Sequence, residues 1–166
     1  MKRMAIFAAG CGLIKLGLAM LSDSVILALF CRVPAEVAAF YYGVPVDSGS
    51  LSFTAHGVTL AVTRACAAAD FFALVAAVLL TARMARKMPV VGRVIRAASG
   101  LFFAWIITLA VNSLRIIALV PVDALFPKDH MPIVHLLAGV AFFLPAFAGI
   151  WYCSCKEDRK ENEKST

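Results

Sequence analysis

Residues 97–118 read AASGLFFAWIITLAVNSLRIIA, an apolar run whose one charged member is Arg115. A helix needs about 20 apolar residues to cross the roughly 30 Å hydrocarbon core of a bilayer, so this run predicts a membrane span. Runs of similar length and character occupy residues 4–22, 65–82 and 133–153. We therefore expect an all-α integral membrane protein with about four transmembrane helices.

The composition of the 166-residue chain supports this class. Hydrophobic residues make up 62% of the chain and charged residues 16%, and the mean hydropathy of +0.88 lies outside the range of soluble domains. The net charge of +6 does not predict nucleic-acid binding, because the basic residues are not spread over an exposed face. We expect a single polytopic membrane domain over residues 1–155 and a disordered cytoplasmic tail over residues 156–166.

The apolar stretch from Val25 to Val44 differs from the four spans, because Arg32, Pro34 and Glu36 lie near its middle. Charged side chains are costly in hydrocarbon unless they are buried or paired. This stretch is therefore interpreted as an interfacial or re-entrant helix.

The distribution of lysine and arginine predicts the orientation of the spans. The N-terminus and the connection between the second and third spans are basic, whereas segments 23–63 and 119–132 hold only Arg32 and Lys128. Basic connections stay in the cytoplasm. We expect both termini inside and these two segments outside a prokaryotic cytoplasmic membrane. The basic residues that decide this are Lys2, Arg3, Arg83, Arg86, Lys87, Arg93 and Arg96.

One segment on the outer side has the pattern of strands. Residues 44–55 and 58–63 alternate in side-chain character around His56 and Gly57, and glycine can adopt the positive φ of a tight turn. The pattern predicts a short extracytoplasmic β-hairpin that leads directly to Cys66.

Three reactive side chains are expected at this outer surface. Cys66 begins the second span, Arg115 lies near the outer end of the third, and His135 lies at the outer start of the fourth. A thiolate is a nucleophile, and a histidine can carry its proton to a leaving amine. An arginine is a fixed positive charge that can stabilise an oxyanion. The three residue types together predict catalysis by a cysteine nucleophile.

Two more polar side chains are expected near these three. Asn112 lies one turn before Arg115 on the same helical face, where it can support the arginine. Asp70 lies one turn after Cys66 and could pair with Arg115 or orient His135, and a structural ion pair is the favoured role.

Simpler interpretations of these residues stay open. Cys66 could be a small apolar packing residue, Arg115 could extend toward the lipid headgroups, and His135 could cap its helix. His130 or His56 could also replace His135 as the base. The remaining cysteines form no C-x-x-C pair and no zinc spacing, so we expect no disulfide framework, metal or organic cofactor. They are Cys11, Cys31, Cys153 and Cys155.

Three motifs together resemble the exosortase/archaeosortase family of membrane cysteine transpeptidases. Residues 59–66 (TLAVTRAC) are similar to the family's extended segment ending in Ala-Cys, residues 112–116 (NSLRI) to its Asn-x-x-Arg motif, and residues 135–139 (HLLAG) to its His-x-x-x-Gly motif. The resemblance covers roughly residues 44–150, and the chain is short, as in the exosortase K type.

The resemblance implies that Cys66 is the nucleophile, Arg115 the substrate-orienting or transition-state cation, and His135 the proton carrier. The chain departs from the family pattern at two places. It has Ala67 and Ala68 where Ser-Gly is common, and it has Arg64 where an acidic residue is frequent. Arg64 could alter substrate choice or help to hold the cysteine as thiolate.

The implied substrates are exported proteins with a C-terminal motif, a transmembrane helix and a basic cluster, which are cleaved at the extracytoplasmic face without a cofactor. The alternatives are a small-solute transport or substrate-binding component and a non-catalytic membrane scaffold. A thiol oxidoreductase is less favoured, because only Cys31 could partner Cys66 on the outer side.

Overall fold

The computed structural model describes residues 2–84, 90–126 and 131–164. Within these residues, six α-helices and one β-hairpin follow one another along the chain, and a 3-10 turn, Arg64–Cys66, precedes α4. The helices are α1 (Lys2–Ala19), α2 (Asp23–Phe30), α3 (Arg32–Tyr42), α4 (Ala69–Met84), α5 (Val90–Leu125) and α6 (Met131–Lys164), and the strands are β1 (Ser52–Ala55) and β2 (Val58–Ala61).

The described residues contain three helical segments that are long and apolar enough to cross a membrane. They are Arg64–Ala82, the whole of α5, and Ile133–Lys156 within α6. The helical membrane class predicted from the sequence is therefore confirmed, and each of these segments overlaps one of the four expected spans.

The remaining expected span, the N-terminal one over residues 4–22, does not correspond to a single straight helix. A bend of 116° separates α1 from α2, and only the two helices taken together have the length and hydropathy of a span, either broken or re-entrant. Ser22 has extended backbone at the start of α2 (φ −65°, ψ 156°), and Asp23 occupies the first turn. Serine before a helix and an acidic residue in its first turn both favour a new helix start at this point.

Two of the helices extend well past their predicted ends. The predicted spans 97–118 and 133–153 become α5 and α6, and Pro121 and Pro145 lie inside these helices. Membrane helices tolerate internal proline because neighbouring groups satisfy the freed carbonyl. At 1.5 Å per residue α5 is about 54 Å long, more than the thickness of the hydrocarbon core.

The segment that was predicted to be a disordered tail, residues 156–166, continues α6 as far as Lys164. Lysine, arginine and glutamate are good helix formers, and extending an existing helix requires no new nucleation.

The predicted hairpin is confirmed. Ser52 pairs with Ala61 and the two strands are joined by His56 and Gly57, which both have positive φ, 52° and 80°. This combination is the type I′ turn that matches the twist of paired strands. The first strand is shorter than the sequence pattern suggests, because Asp47 accepts hydrogen bonds from the Gly49 amide and the Ser50 hydroxyl and so forms a turn.

The larger buried cluster packs α2, α3, the hairpin and the 3-10 turn against the C-terminal half of α5. We call this part of the molecule the hairpin end. Small side chains at Ala35, Ala38 and Ala39 are fully buried and keep α3 close to its neighbours. The Tyr42 hydroxyl donates to the Ile117 carbonyl over 2.7 Å. Cys66 belongs to this cluster, so its position is fixed by the packing of the hairpin end.

The backbone turns sharply between the 3-10 turn and α4. Ala68 has φ of +51°, a left-handed conformation that costs an L-residue about 1–2 kcal/mol. The strain is located two residues after Cys66.

We expect Ala68→Gly to raise the free energy of unfolding by up to about 1 kcal/mol, since relief of the left-handed strain exceeds the entropy gained by the unfolded chain. Thermal unfolding in a mild detergent measures the change. The matched control is Ala77→Gly in the interior of α4, where the same substitution should cost about 1 kcal/mol. A loss of stability in Ala68→Gly equal to that of the control would contradict the assignment of strain.

Candidate functional site

Cys66 lies in the 3-10 turn and is 5% exposed. Its backbone amide donates to the Thr63 carbonyl over 2.8 Å. Its own carbonyl accepts a hydrogen bond of 2.6 Å from the Asn112 side-chain amide. The turn that carries the thiol is therefore attached directly to the middle of α5.

Asn112 is fully buried and connects three elements. Its amide also donates to the Phe30 carbonyl at the end of α2, over 3.4 Å, while its Oδ1 atom has no hydrogen-bond partner among the described residues. The sequence predicts support of Arg115 by this side chain. In the structure its hydrogen bonds go to the backbone of Cys66 and Phe30, so it supports the 3-10 turn that carries Cys66.

Arg115 is 7% exposed, with its guanidinium between α5 and α6. Its Nη2 donates to the His135 carbonyl over 3.2 Å, and its Cζ lies 5.4 Å from the centre of the Phe143 ring. The Nε atom is buried and has no partner among the described residues. A buried guanidinium with a free donor is poised to bind an added acceptor.

Gly139 lies beside this guanidinium. A Cβ atom at Gly139 would lie 3.8 Å from Arg115 Nε and 3.9 Å from the Phe143 ring, which is ordinary van der Waals contact. The absence of a side chain at Gly139 leaves space on α6 next to Arg115. The backbone conformation of Gly139 does not require glycine.

His135 faces a carboxylate that the sequence analysis did not select. Its Nε2 lies 3.4 Å from Asp123 Oδ1, and the Asp123 side chain is 14% exposed. A signal for this contact exists in the sequence, because Asp123 is eight residues after Arg115 and so lies on the same face of a continuous helix. The predicted third span ends at residue 118, so Asp123 was not expected on the same helix as Arg115.

Two predicted supporting residues have other partners. Asp70 forms an ion pair of 2.8 Å with Lys15 of α1, as the favoured structural role predicts, and within the described ranges no ion pair joins it to Arg115 or His135. Arg64 forms an ion pair with Asp23 at the start of α2.

The structure brings Arg115 and His135 together and ties Cys66 to the same helix through Asn112. In the described part of the chain, no hydrogen bond joins the Cys66 thiol to His135 or to Arg115. Of the alternative bases, His56 is in the hairpin turn with its ring 5.5 Å from that of Tyr42, and His130 lies outside the described residues.

Cys31 is the other buried cysteine of the hairpin end. Its thiol donates to the Thr63 carbonyl over 3.5 Å, and burial, with a smaller effect of Cys66, raises the pKa of this thiol to about 12. Cys31 is therefore protonated at neutral pH and is a poor alternative nucleophile. All five cysteines are free. Across the described ranges, no three His, Cys, Asp or Glu side chains form a possible metal site.

A cavity of about 720 Å³ lies beside the site, between α1, α4 and α6. Its lining combines five polar or charged side chains with aliphatic and aromatic ones. The polar residues are Lys15, Arg64, Asp70, Arg115 and His135, and the large apolar ones include Phe71, Leu74, Leu136, Val140, Phe143, Leu144 and Phe147. Away from the cavity, Phe7 of α1 packs edge-on against Trp151 of α6, with ring centres 5.9 Å apart.

Comparison with known proteins adds no relative. No family model, no curated protein and no solved structure matches the chain. The fold and site define a helical membrane protein with a buried cysteine, a buried arginine and a histidine–aspartate pair at its hairpin end.

Proposed function

We propose that the protein is a membrane-embedded cysteine endopeptidase or transpeptidase of the exosortase type. The observation that carries the proposal is the buried Arg115, whose Nη2 holds the backbone of His135 while its Nε has no partner and its side chain lines the cavity. Arg115 is a desolvated cation beside His135, on the helix that also holds the 3-10 turn of Cys66 through Asn112. Such a cation suits the stabilisation of a developing oxyanion.

In the proposed reaction the Cys66 sulfur attacks the scissile carbonyl carbon and its proton passes to His135. The carbonyl oxygen becomes an oxyanion and accepts hydrogen bonds from Arg115. The carbon–nitrogen bond then breaks, His135 returns the proton to the leaving amine, and the acyl group remains on sulfur as a thioester. Water or an acceptor amine attacks the thioester and frees Cys66.

The buried thiol has no hydrogen bond to His135, so proton transfer requires a shift of the 3-10 turn or of the start of α6 when substrate enters. Catalytic hydrogen bonds are often completed only in the substrate complex. The strained residue Ala68 provides a point at which the turn can move relative to α4.

The proposed substrates are exported proteins with a C-terminal recognition motif, a transmembrane helix and a basic cluster. The apolar lining of the cavity suits a segment that arrives within the bilayer, and the polar residues at Arg115 and His135 suit its peptide carbonyls. We propose that the site faces outward across a prokaryotic cytoplasmic membrane, with both termini in the cytoplasm.

A second candidate function is solute binding or transport. The observation that favours it is the ion pair of Lys15 and Asp70 on the cavity lining, because charged residues within membrane spans often mark solute paths. Transport does not require a reactive thiol, and this difference separates the two proposals.

The test is capture of the acyl-enzyme. A tagged exported protein with a candidate sorting signal is co-expressed with the wild-type protein, and the membranes are quenched in acid. We expect a covalent adduct that hydroxylamine releases, as it does thioesters, and that mass spectrometry locates on Cys66. An adduct on any other residue, or cleavage without an adduct in a chain lacking the Cys66 thiol, would contradict the proposal.

A further inference from the structure

Asp123 is a buried carboxylate that the proposed reaction does not use. It lies near the C-terminal end of α5, and its Oδ1 has no hydrogen-bond partner among the described residues. A buried carboxylate is costly unless it is paired or hydrogen-bonded. The only cationic group that the described residues place within ion-pair distance of it is the imidazole of His135, at 3.4 Å.

The charged residues that line the neighbouring cavity, other than His135, have different partners. Arg115 of α5 donates to the His135 backbone carbonyl and not to its ring. Lys15 of α1 pairs with Asp70 of α4, and Arg64 of the 3-10 turn pairs with an aspartate of α2. Within the described part of the chain, the His135 ring forms an ion pair with one carboxylate, and the contact is through Nε2.

A neutral imidazole carries its proton on one of two nitrogens, and the hydrogen bond made by one nitrogen decides the state of the other. The contact between Asp123 Oδ1 and His135 Nε2 is an ion-pair distance of 3.4 Å rather than a hydrogen bond, and the negative charge facing Nε2 favours the tautomer with the proton on Nε2. The Nδ1 atom then has a free lone pair and can accept a proton. Contact with the Asp123 carboxylate also fixes the ring plane.

We propose that Asp123 is a positioning residue for His135. It holds the imidazole through Nε2 in the tautomer whose Nδ1 accepts the Cys66 proton, and it stabilises the imidazolium formed in that step. Asp123 and Arg115 both lie in α5. Arg115 fixes the main chain of His135 through its carbonyl, and Asp123 fixes the imidazole ring. This inference rests on the proposed cysteine transpeptidase function.

The test compares Asp123→Asn and Asp123→Glu with Cys66→Ala and with Glu36→Gln. Glu36 is an exposed carboxylate paired with Arg32 on α3, so its substitution makes the same chemical change away from the site. Cleavage of a membrane-anchored substrate is measured in lipid nanodiscs, and thermal unfolding of each variant is recorded in parallel.

We expect Asp123→Asn to lower kcat by about a hundredfold or more with KM changed less than threefold, because the loss of a group that orients the base affects the chemical step. Asp123→Glu should recover part of this loss, and Glu36→Gln should match the wild type. Asp123→Asn with kcat within twofold of the wild type, while Cys66→Ala is inactive, would overturn the role of Asp123 alone. Persistent cleavage in Cys66→Ala would overturn the transpeptidase proposal and the inference together.

A second measurement separates positioning from simple packing. The chain has three histidines, so His56→Asn with His130→Asn leaves His135 as the only ¹⁵N-labelled imidazole. We expect the ¹⁵N chemical shifts of the His135 imidazole to show the Nε2-protonated tautomer. In Asp123→Asn we expect a mixture of the two tautomers. Unchanged tautomer populations in Asp123→Asn would overturn the inference, even if the variant loses stability.

Discussion

Cleavage of a sorting-signal substrate is expected to fall at least about a thousandfold in Cys66→Ala. Removing a nucleophile eliminates the covalent route and leaves only the contribution of binding and oxyanion stabilisation. The substitution removes one buried sulfur atom, so the loss of stability should stay near 1 kcal/mol. Processing is measured by immunoblot of a co-expressed substrate at matched protein levels.

The matched control is Cys153→Ala, an exposed cysteine in the second half of α6, which should cleave like the wild type. A Cys66→Ser variant adds a second comparison, because a hydroxyl of the same shape is a much weaker nucleophile at neutral pH. Cleavage that persists in Cys66→Ala would remove the nucleophile from the mechanism and make solute binding or transport the leading function.

Arg115→Lys is expected to lower kcat by about 10²–10³, close to the loss in Arg115→Ala. An oxyanion donor is worth about this much, and lysine cannot replace the guanidinium at this position. Arg115 donates to the His135 carbonyl through Nη2 and keeps Nε free. The single ammonium group of lysine cannot place hydrogen-bond donors at both the Nη2 and the Nε positions.

The control for this prediction is Arg93→Lys near the other end of α5, on an exposed surface, which should leave cleavage unchanged. Thermal unfolding identifies variants that lose activity only because the bundle opens. Wild-type kcat in a folded Arg115→Lys protein would show that the residue supplies only positive charge or packing, and would count against its proposed role as a paired donor.

The long apolar runs and the hairpin could be predicted because each depends on local signals. Hydropathy over about 20 residues identifies a membrane helix, and the pair His56 and Gly57 identifies the tight turn between two short strands. The alternating direction of the spans predicts that Arg115 and His135 meet at one membrane surface. The hydrogen bond between Arg115 and the His135 backbone agrees with that expectation.

The remaining contacts depend on helix rotation and bending, which a single sequence does not determine. Asp70 was expected one turn from Cys66 on a common helix, but the left-handed Ala68 separates the two and the carboxylate pairs with Lys15. The bend between α1 and α2 was missed because the apolar run continues across it, although Ser22 and Asp23 mark a helix start. Asp123 was missed because the helix continues past the predicted end of its span.

The cavity between α1, α4 and α6 has an energetic consequence for any molecule that enters it. Where this cavity opens to a bilayer, lipid chains compete with any other ligand for its phenylalanine and leucine walls. Acyl chains are as apolar as leucine, so exchanging a lipid for a membrane helix gains little from the hydrophobic effect. Discrimination between occupants must therefore come from shape and from the few polar groups at Arg115, His135 and the Lys15–Asp70 pair. The surrounding lipids act as competing ligands.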